Sequence, residues 1–237
     1  MKLAIAMATY KRMDGKSPFY LKRALDSVFA QDHKDFKVFV VGDHYEDDLE
    51  FQSIVSIYNR EQIYYDNLPF SPERNKYKYM DRNTLWCCGG LSALLLATAK
   101  AIESGFDYIC HLDHDDYWEA DHLRIISQVI EKTHADWICT IAEYGQRPRY
   151  PKIERKGYLF PFLPKPGGVI NSATCYNYKI IPLRYRNVFE ESGVVIPSDS
   201  DLWERMKIYI KENKLRSFVV NKVTCHHQEE GYLLHGN

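Results

Sequence analysis

Two short apolar segments on either side of an amphipathic stretch constrain the fold of this chain more than any other feature. Residues 3–8 form one continuous apolar run, and residues 36–41 form a second that only Lys37 interrupts. Between them, "YLKRALDSVFAQ" carries apolar side chains at i, i+4, i+7 and i+8 from Leu21, which is the spacing of one helix face. Continuous apolar runs predict strands that are buried on both faces. Strand, helix and strand in this order predict a parallel pair with a right-handed crossover.

The rest of the chain continues the alternation. Further helices are predicted at 44–60, 90–103, 120–132 and 198–213, and further strands at 62–66, 108–112, 136–144 and 217–227. Residues 66–83 and 145–168 are predicted to be loops because they are polar and rich in proline. The sequence therefore predicts an α/β fold in one Rossmann-like domain, with a mostly parallel central sheet flanked by helices. Ligands of such sheets bind at the carboxyl ends of the strands.

Composition excludes some classes of partner. The 237 residues carry a formal net charge of -1, so no global field favours nucleic acid. No run approaches the roughly 20 apolar residues of a membrane helix, and no transmembrane segment is expected. Six scattered cysteines without a C-x-x-C pair indicate reduced thiols rather than a disulfide framework. We therefore expect a cytoplasmic location.

An acidic cluster, Asp113, Asp115 and Asp116, follows the predicted strand at 108–112. Like charges this close repel each other, and burial adds to the cost of ionising them. Three interpretations compete: a solvated turn that caps the next helix, a carboxylate nucleophile of the phosphatase type, and a site for a divalent cation. The cation is the interpretation we favour, because carboxylates suit Mg²⁺ or Mn²⁺ and phosphate oxygens of a ligand complete such a shell.

Four segments resemble motifs of the family 2 glycosyltransferases of the GT-A fold, in the nucleotide-diphospho-sugar transferase superfamily. They are "IAMATYKR", "YLKRALDSVFAQDHKDFKVFVVGDH", "LDHDDYWEADHL" and "SDSDLWERM", in the order of the family. Together they cover about residues 3–48, 105–123 and 198–227. The resemblance implies a single GT-A domain over 1–237, in which 1–116 bind the nucleotide sugar and 117–237 bind the acceptor.

The resemblance also implies a donor site. Thr9, Tyr10 and Arg12 match the loop that borders the nucleoside, and Asp43 matches the aspartate that hydrogen-bonds the base, usually uracil. A carboxylate can accept a hydrogen bond from a base N–H, although Asp43 is equally suited to a turn after a strand. Asp113 matches the aspartate that contacts the ribose or water on the metal.

A metal site is implied by the same comparison, with Mn²⁺ or Mg²⁺ as the cofactor. Asp113 and Asp115 match the two carboxylates of the family's D-x-D motif. His226 and His227 end the last predicted strand, where GT-A enzymes often place a histidine ligand. Spacing does not decide between the two, and we favour His226; exposed tail histidines are the alternative.

Asp199 matches the family's catalytic aspartate, which removes the proton of the acceptor hydroxyl. Ser198 stands where the family has a glutamate, and Asp201 is a competing candidate for the base. A helix cap is the other interpretation of Asp199. Because a single displacement inverts the anomeric carbon, an inverting enzyme is expected.

The expected function is transfer of a hexosyl group from a nucleoside-diphosphate sugar, a UDP-sugar, to a hydroxyl of a glycan or other acceptor. Two alternatives remain: a nucleotide- or carbohydrate-binding module with a decayed site, and a sugar-phosphate nucleotidylyltransferase. The family's A-R-N-x-G stretch is absent, and residues 95–97 stand roughly in its place. The basic residues of the 66–88 loop, Arg74, Lys76, Lys78 and Arg82, offer a substitute for its positive charge at the diphosphate, and a solvated basic loop is the equal alternative.

Overall fold

One sheet with helices on both faces forms the protein. The computed structural model describes residues 1–145 and 147–228, apart from the side chains at 82, 147 and 148. The strands are β1 Leu3–Thr9, β2 Phe36–Gly42, β3 Ile63–Asn67, β4 Tyr108–His111, β5 Tyr117–Trp118, β6 Trp137–Tyr144, β7 Arg147–Tyr150, β8 Leu159–Pro161, β9 Thr174–Asn177 and β10 Ser217–His227. The helices are α1 Ser17–Phe29, α2 Asp48–Val55, α3 Pro72–Tyr77, α4 Arg82–Cys88, α5 Leu91–Glu103, α6 His122–Thr133, α7 Val188–Ser192 and α8 Ser198–Glu212, with a 3-10 turn at Asn171–Ala173.

The strand order is β3-β2-β1-β4-β9-β6-β10-β5, with β7 beside β6 and β8 beside β10. β1 pairs in parallel with both β2 and β4, β3 pairs in parallel with β2, and β10 pairs in parallel with β6. β9 lies antiparallel between β4 and β6, so β6 and β10 run in the direction of β1. The expected α/β domain with a mostly parallel sheet is confirmed.

Alternation along β1 explains how the helices pack on the two faces. Leu3, Ile5 and Met7 face one side and pack with the apolar face of α1. Ala4 and Ala6 face the other side, where α5 packs. α5 presents small residues there, among them Ala93, Ala97 and Ala101, so its backbone approaches the sheet closely.

Some elements differ from the sequence-based expectation. The segment predicted as a loop at 66–83 contains α3, and the loop-rich segment at 145–168 contains β7 and β8. β9 was not predicted. α8 begins at Ser198 as expected, but its N-cap is Pro197 and no side chain caps it. Asp121 occupies the N-cap position of α6 without a side-chain capping bond, so the acidic cluster does not serve as its cap.

The stretch Asn83–Glu103 is long and apolar enough to cross a membrane by length and composition, contrary to the expectation that no segment approaches this length. Such a stretch is weak evidence, because core helices meet the same criteria. Here Gly89 and Gly90 divide it into α4 and α5, with Gly90 at φ 81°, and α5 packs on β1 and β2. Residues 95–97 lie within α5 and serve this packing.

Candidate active site

The predicted site residues lie at one edge of the sheet. Thr9 ends β1, and Asp43, Asp113 and His227 lie at or just beyond the ends of β2, β4 and β10. These four strands run in the same direction, so their carboxyl ends meet at that edge. A backbone bond from the Asp43 N–H to the Thr9 carbonyl, 2.7 Å, joins two of them.

Asp43 and Arg74 form a buried ion pair at the end of β2. The Arg74 Nε lies 2.7 Å from the Asp43 Oδ2, and its guanidinium lies 3.6 Å from the centre of the Tyr10 ring. The other carboxylate oxygen, Asp43 Oδ1, and the Thr9 hydroxyl are buried and have no hydrogen-bond partner among the described residues. Buried polar atoms normally have partners, so this unpaired acceptor is available to a ligand.

Asp113 is oriented by the chain segment just before β9. Its N–H donates to the Ser172 Oγ, and the Asn171 Nδ2 donates to its Oδ1 at 3.1 Å. The Tyr185 hydroxyl in turn donates to the Asn171 Oδ1 at 2.5 Å. Burial and the charges of Asp116 and Asp115 raise the pKa of Asp113 to about 7. Its surroundings therefore oppose ionisation of this carboxyl, and burial is the main cause.

Asp115 is half-buried and paired with Arg12. Its Oδ2 lies 3.1 Å from the Arg12 Nη1, while the Nη2 of the same arginine lies 3.1 Å from Asp14. The Arg12 guanidinium also lies over the Tyr20 ring. Arg12 thus connects the loop after β1 with the acidic turn after β4.

Asp116 is fully buried against His227. The His227 Nδ1 lies 2.9 Å from the Asp116 Oδ1, which also accepts a hydrogen bond from the Gln228 N–H at 3.0 Å. Burial alone would lower the pKa of His227, but the charge and hydrogen bond of Asp116 raise it to about 9. Burial opposes ionisation of Asp116 too, yet the neighbouring imidazolium holds its pKa below the ordinary value.

His226 does not join this cluster. Its Nε2 lies 2.6 Å from the Glu119 Oε1, its Nδ1 lies 3.6 Å from Glu143, and its ring stacks on Tyr117. Successive residues of a strand point to opposite faces, so only one of the two histidines can face the aspartates. The preference for His226 is therefore not supported by the geometry, which brings His227 to Asp116 instead.

Asp199 lies in the first turn of α8, half-buried and free of any capping bond. Its Oδ1 accepts from the Ser200 N–H at 2.6 Å, and burial raises the pKa of its carboxyl. The Ser198 hydroxyl donates to the Cys87 carbonyl, which fixes this end of α8 against α4. Burial is the main cause that raises the pKa of Tyr185, and the charges of Asp199 and Asp113 add to it, so both carboxylates lie near this tyrosine.

Asp201, the competing candidate for the base, is held in a structural ion pair. Its Oδ1 lies 2.8 Å from the Arg186 Nη2, and its Oδ2 lies 2.7 Å from the Arg205 Nε. Burial would raise the pKa of this carboxyl, but its bonds to the two arginines lower it overall. A carboxylate engaged in this way is a poor proton acceptor.

No preassembled group of three or more histidine, cysteine, aspartate or glutamate side chains able to hold a metal ion occurs in the described part of the chain. Asp113 and Asp115 nevertheless suit a divalent cation that takes most of its shell from a ligand. Two hard carboxylates are the usual number for Mg²⁺ bound together with phosphate oxygens. A cation bound there would favour the ionised form of Asp113, which its buried surroundings oppose.

Sequence reasoning missed several residues that shape the site. Asn171 and Ser172 orient Asp113 from 58 or more positions away along the chain, and no local pattern marks them. Arg74, one of the basic loop residues considered for the diphosphate, pairs with Asp43. The Arg82 side chain lies outside the described part. Trp118 is buried, and its Nε1 donates a hydrogen bond to the Ser172 carbonyl.

Solved structures share the fold. Staphylococcus aureus TarS residues 1–349 in complex with UDP matches with a TM-score of 0.70 at 16% identity, over 96% of this chain and 60% of that one. The mannosyltransferase PcManGT from Pyrobaculum calidifontis, in complex with GDP-Man and Mn²⁺, matches with a TM-score of 0.57 at 12% identity, over 98% and 58%. The chain thus spans about three fifths of the length of these two structures. At these identities the likeness establishes the GT-A fold.

Sequence comparison identifies the family. An "Uncharacterized glycosyltransferase R139" from Acanthamoeba polyphaga mimivirus is 31% identical over 239 residues, which cover 98% of this chain and 95% of the relative. The family model described as "Glycosyl transferase family 2" matches residues 4–196, most of the chain. This match favours a glycosyltransferase over a nucleotidylyltransferase. The chain therefore belongs to glycosyl transferase family 2.

Proposed function

We propose that this protein is a metal-dependent, inverting glycosyltransferase that moves a hexosyl group from a UDP-sugar to a hydroxyl of a glycan or other acceptor. The observation that carries the proposal is that Asp113 and Asp199, two carboxyls whose pKa is raised by burial, both lie near Tyr185. One carboxylate sits in the acidic turn that suits a diphosphate with its cation, and the other is free to take a proton.

Residues 1–116 form the donor half in this proposal. Thr9, Tyr10, Arg12 and Asp43 border the nucleoside. The unpaired Asp43 Oδ1 is a hydrogen-bond acceptor, and the adjacent Arg74 guanidinium is a donor. An acceptor beside a donor complements the N–H and C=O edge of uracil, and guanine has the same edge. The UDP of the TarS complex supports the uracil assignment, and the GDP-Man of PcManGT makes guanine the comparison to test.

Asp113 and Asp115 would hold the Mn²⁺ or Mg²⁺, with His227 beside them once its proton is lost. A divalent cation bound there would neutralise the diphosphate and stabilise the leaving nucleoside diphosphate. Asn171 and Ser172 keep Asp113 in place, and Arg12 supplies a second positive charge at Asp115. The Mn²⁺ in PcManGT supports this assignment.

Asp199 acts as the general base in the acceptor half, residues 117–237. Burial raises the pKa of its carboxyl, and general bases work best when their pKa approaches the working pH. Asp199 takes the proton of the acceptor hydroxyl while that oxygen attacks the anomeric carbon. The attack is a single displacement, so the configuration inverts.

A binding module without turnover is the second candidate. Arg12 already neutralises Asp115 and Arg74 already neutralises Asp43, as expected of a site that no longer takes a metal or a base. Ser198 in place of the family's glutamate favours the same interpretation.

The cysteines bear on the location of the protein. Six buried, free thiols support a reducing compartment such as the cytoplasm.

The deciding experiment is calorimetric titration of UDP and GDP, each with Mn²⁺, with Mg²⁺ and with EDTA. Metal-dependent binding of UDP that exceeds that of GDP would support the donor assignment. A panel of UDP-sugars would then be assayed for release of UDP, and NMR would give the anomeric configuration of the product. Tight UDP binding without turnover would favour the module, and retention of configuration would contradict Asp199 as the base of a single displacement.

A further inference from the structure

The helix α1 supports the acidic turn through polar side chains spaced four residues apart. The Arg23 Nη2 donates to the Asp115 carbonyl at 2.6 Å, and the Trp118 N–H donates to the Ser27 Oγ at 3.1 Å. Gln31, just after the helix, donates to the Glu119 carbonyl at 2.7 Å. Side chains at this spacing lie on one helix face, so α1 holds the chain after the acidic cluster along its length.

Arg23 differs from the other two because it reaches a second segment. The same Nη2 donates to the Gln228 Oε1 at 2.9 Å, so both of its N–H groups are used. The Gln228 N–H donates to the Asp116 Oδ1, the oxygen that pairs with His227. Arg23 therefore closes a ring of contacts that joins the acidic turn to the end of β10.

The Arg23 guanidinium is itself held in place by aromatic rings. It lies 4.7 Å from the centre of the Tyr117 ring and 5.1 Å from that of Tyr20. A planar guanidinium can stack on rings and donate in its plane at the same time, which the ammonium of lysine cannot do. The position is thus suited to arginine in particular.

We propose that Arg23 is a positioning residue of the donor site, which ties Gln228 to the acidic turn and so keeps His227 at a fixed separation from Asp115. The inference rests on the proposed function in one respect, that Asp115 and His227 face the diphosphate and its cation. Arg23 does not touch the substrate in this proposal. It acts through the backbone of Asp115 and the side chain of Gln228.

The test compares Arg23→Gln and Arg23→Lys with Lys22→Gln as the matched control. Lys22 is the exposed neighbour on the same helix and forms an ion pair with Asp26 on the helix surface. Hydrogen exchange at the Gln228 amide, followed by NMR, reports whether Arg23 holds Gln228 in place, and it needs no ligand. Calorimetric titration with UDP in the presence of Mn²⁺ measures the affinity of the proposed donor site.

We expect Arg23→Gln to lose protection at the Gln228 amide while β1 amides keep theirs, and to weaken Mn²⁺-dependent UDP binding about tenfold, as changes around metal ligands do. Arg23→Lys should recover part of both, and Lys22→Gln should match wild type. Unchanged exchange at Gln228 would overturn the tether. Faster exchange with unchanged UDP binding would leave Arg23 a purely structural role and overturn its positioning role.

Failure of the proposed function has a different signature. A wild-type protein that binds neither UDP nor GDP with Mn²⁺ would contradict the donor site itself, and with it the part of this inference that concerns the nucleotide. The exchange comparison would still support or overturn the tether.

Discussion

Arg74 holds Asp43 in an ion pair of 2.7 Å, and the Asp43 side chain is fully buried while that of Arg74 is 27% exposed. Both residues lie where the base of the donor is proposed to bind. We therefore expect the pair to contribute both to the stability of the fold and to recognition of the base.

We predict that Arg74→Ala lowers the free energy of unfolding by roughly 1–3 kcal/mol, because it leaves a buried carboxylate without its partner. It should also weaken UDP binding, since the donor beside the Asp43 acceptor is lost. Urea denaturation and calorimetry measure the two effects. A double-mutant cycle with Asp43→Asn should show strong coupling, and additive effects of the two changes would contradict a shared site.

Asp199 and Asp201 should respond to substitution in opposite ways. Asp199→Asn should lower kcat by about 10²–10⁴-fold with little change in UDP affinity, because it removes the proton acceptor alone. Asp201→Asn should retain most of the rate but lower stability, since Arg186 and Arg205 both lose charge pairing there. Steady-state kinetics and thermal unfolding of both variants separate the roles. A fast Asp199→Asn and a slow Asp201→Asn would reverse the assignment of the base.

Asp115→Asn should weaken Mn²⁺-dependent binding of UDP at least about tenfold, because it removes a charge that the cation would meet. Asp14→Asn is the matched control: Asp14 pairs with the same arginine, Arg12, at the same distance of 3.1 Å, but does not belong to the acidic turn. Titrations with Mn²⁺ and with EDTA measure the metal-dependent part of the affinity. If both variants lose the same amount of UDP affinity, the effect comes from the disturbed Arg12 and not from a lost metal ligand.

Local sequence patterns predicted most of the strands and helices, because the residues that form them repeat with the periods of strand and helix. The apolar runs at 3–8 and 36–41 became β1 and β2, and the four-residue spacing from Leu21 became α1. The carboxyl ends of parallel strands then placed Thr9, Asp43 and Asp113 at one edge. These steps need only the periodicities of helix and strand and the rule for crossovers.

β9 escaped prediction because it is four residues long and lies antiparallel in an otherwise parallel part of the sheet. No period can be established over so short a run. The contacts of Asn171 and Ser172 with Asp113 follow from this strand's position between β4 and β6. They are long-range contacts, which sequence periodicity does not report.

Sequence periodicity does not decide between His226 and His227 for a specific reason. β10 shifts its register against β6 between Val220 and Val223, and again between Val223 and Cys225. Each irregularity resets the alternation of faces, and a slip of one residue turns every later side chain to the other face. Counting from the apolar start of β10 therefore cannot say which histidine meets Asp116.

The buried pair of His227 and Asp116 makes stability depend on pH. Asp116 raises the pKa of His227 to about 9 from an ordinary 6.5. A basic group with a raised pKa in the folded state stabilises the fold fully below its unfolded pKa, and the effect is lost as pH rises through the folded value. We therefore expect the free energy of unfolding to decrease between pH 6.5 and 9, by on the order of 3 kcal/mol at most. The unfolding temperature should fall with it.

His227→Gln should abolish the fall in this window, whereas His226→Gln, on the other face of β10, should retain it in thermal unfolding scans. A wild-type profile that is flat from pH 6.5 to 9 would contradict a charged His227 in the metal-free protein.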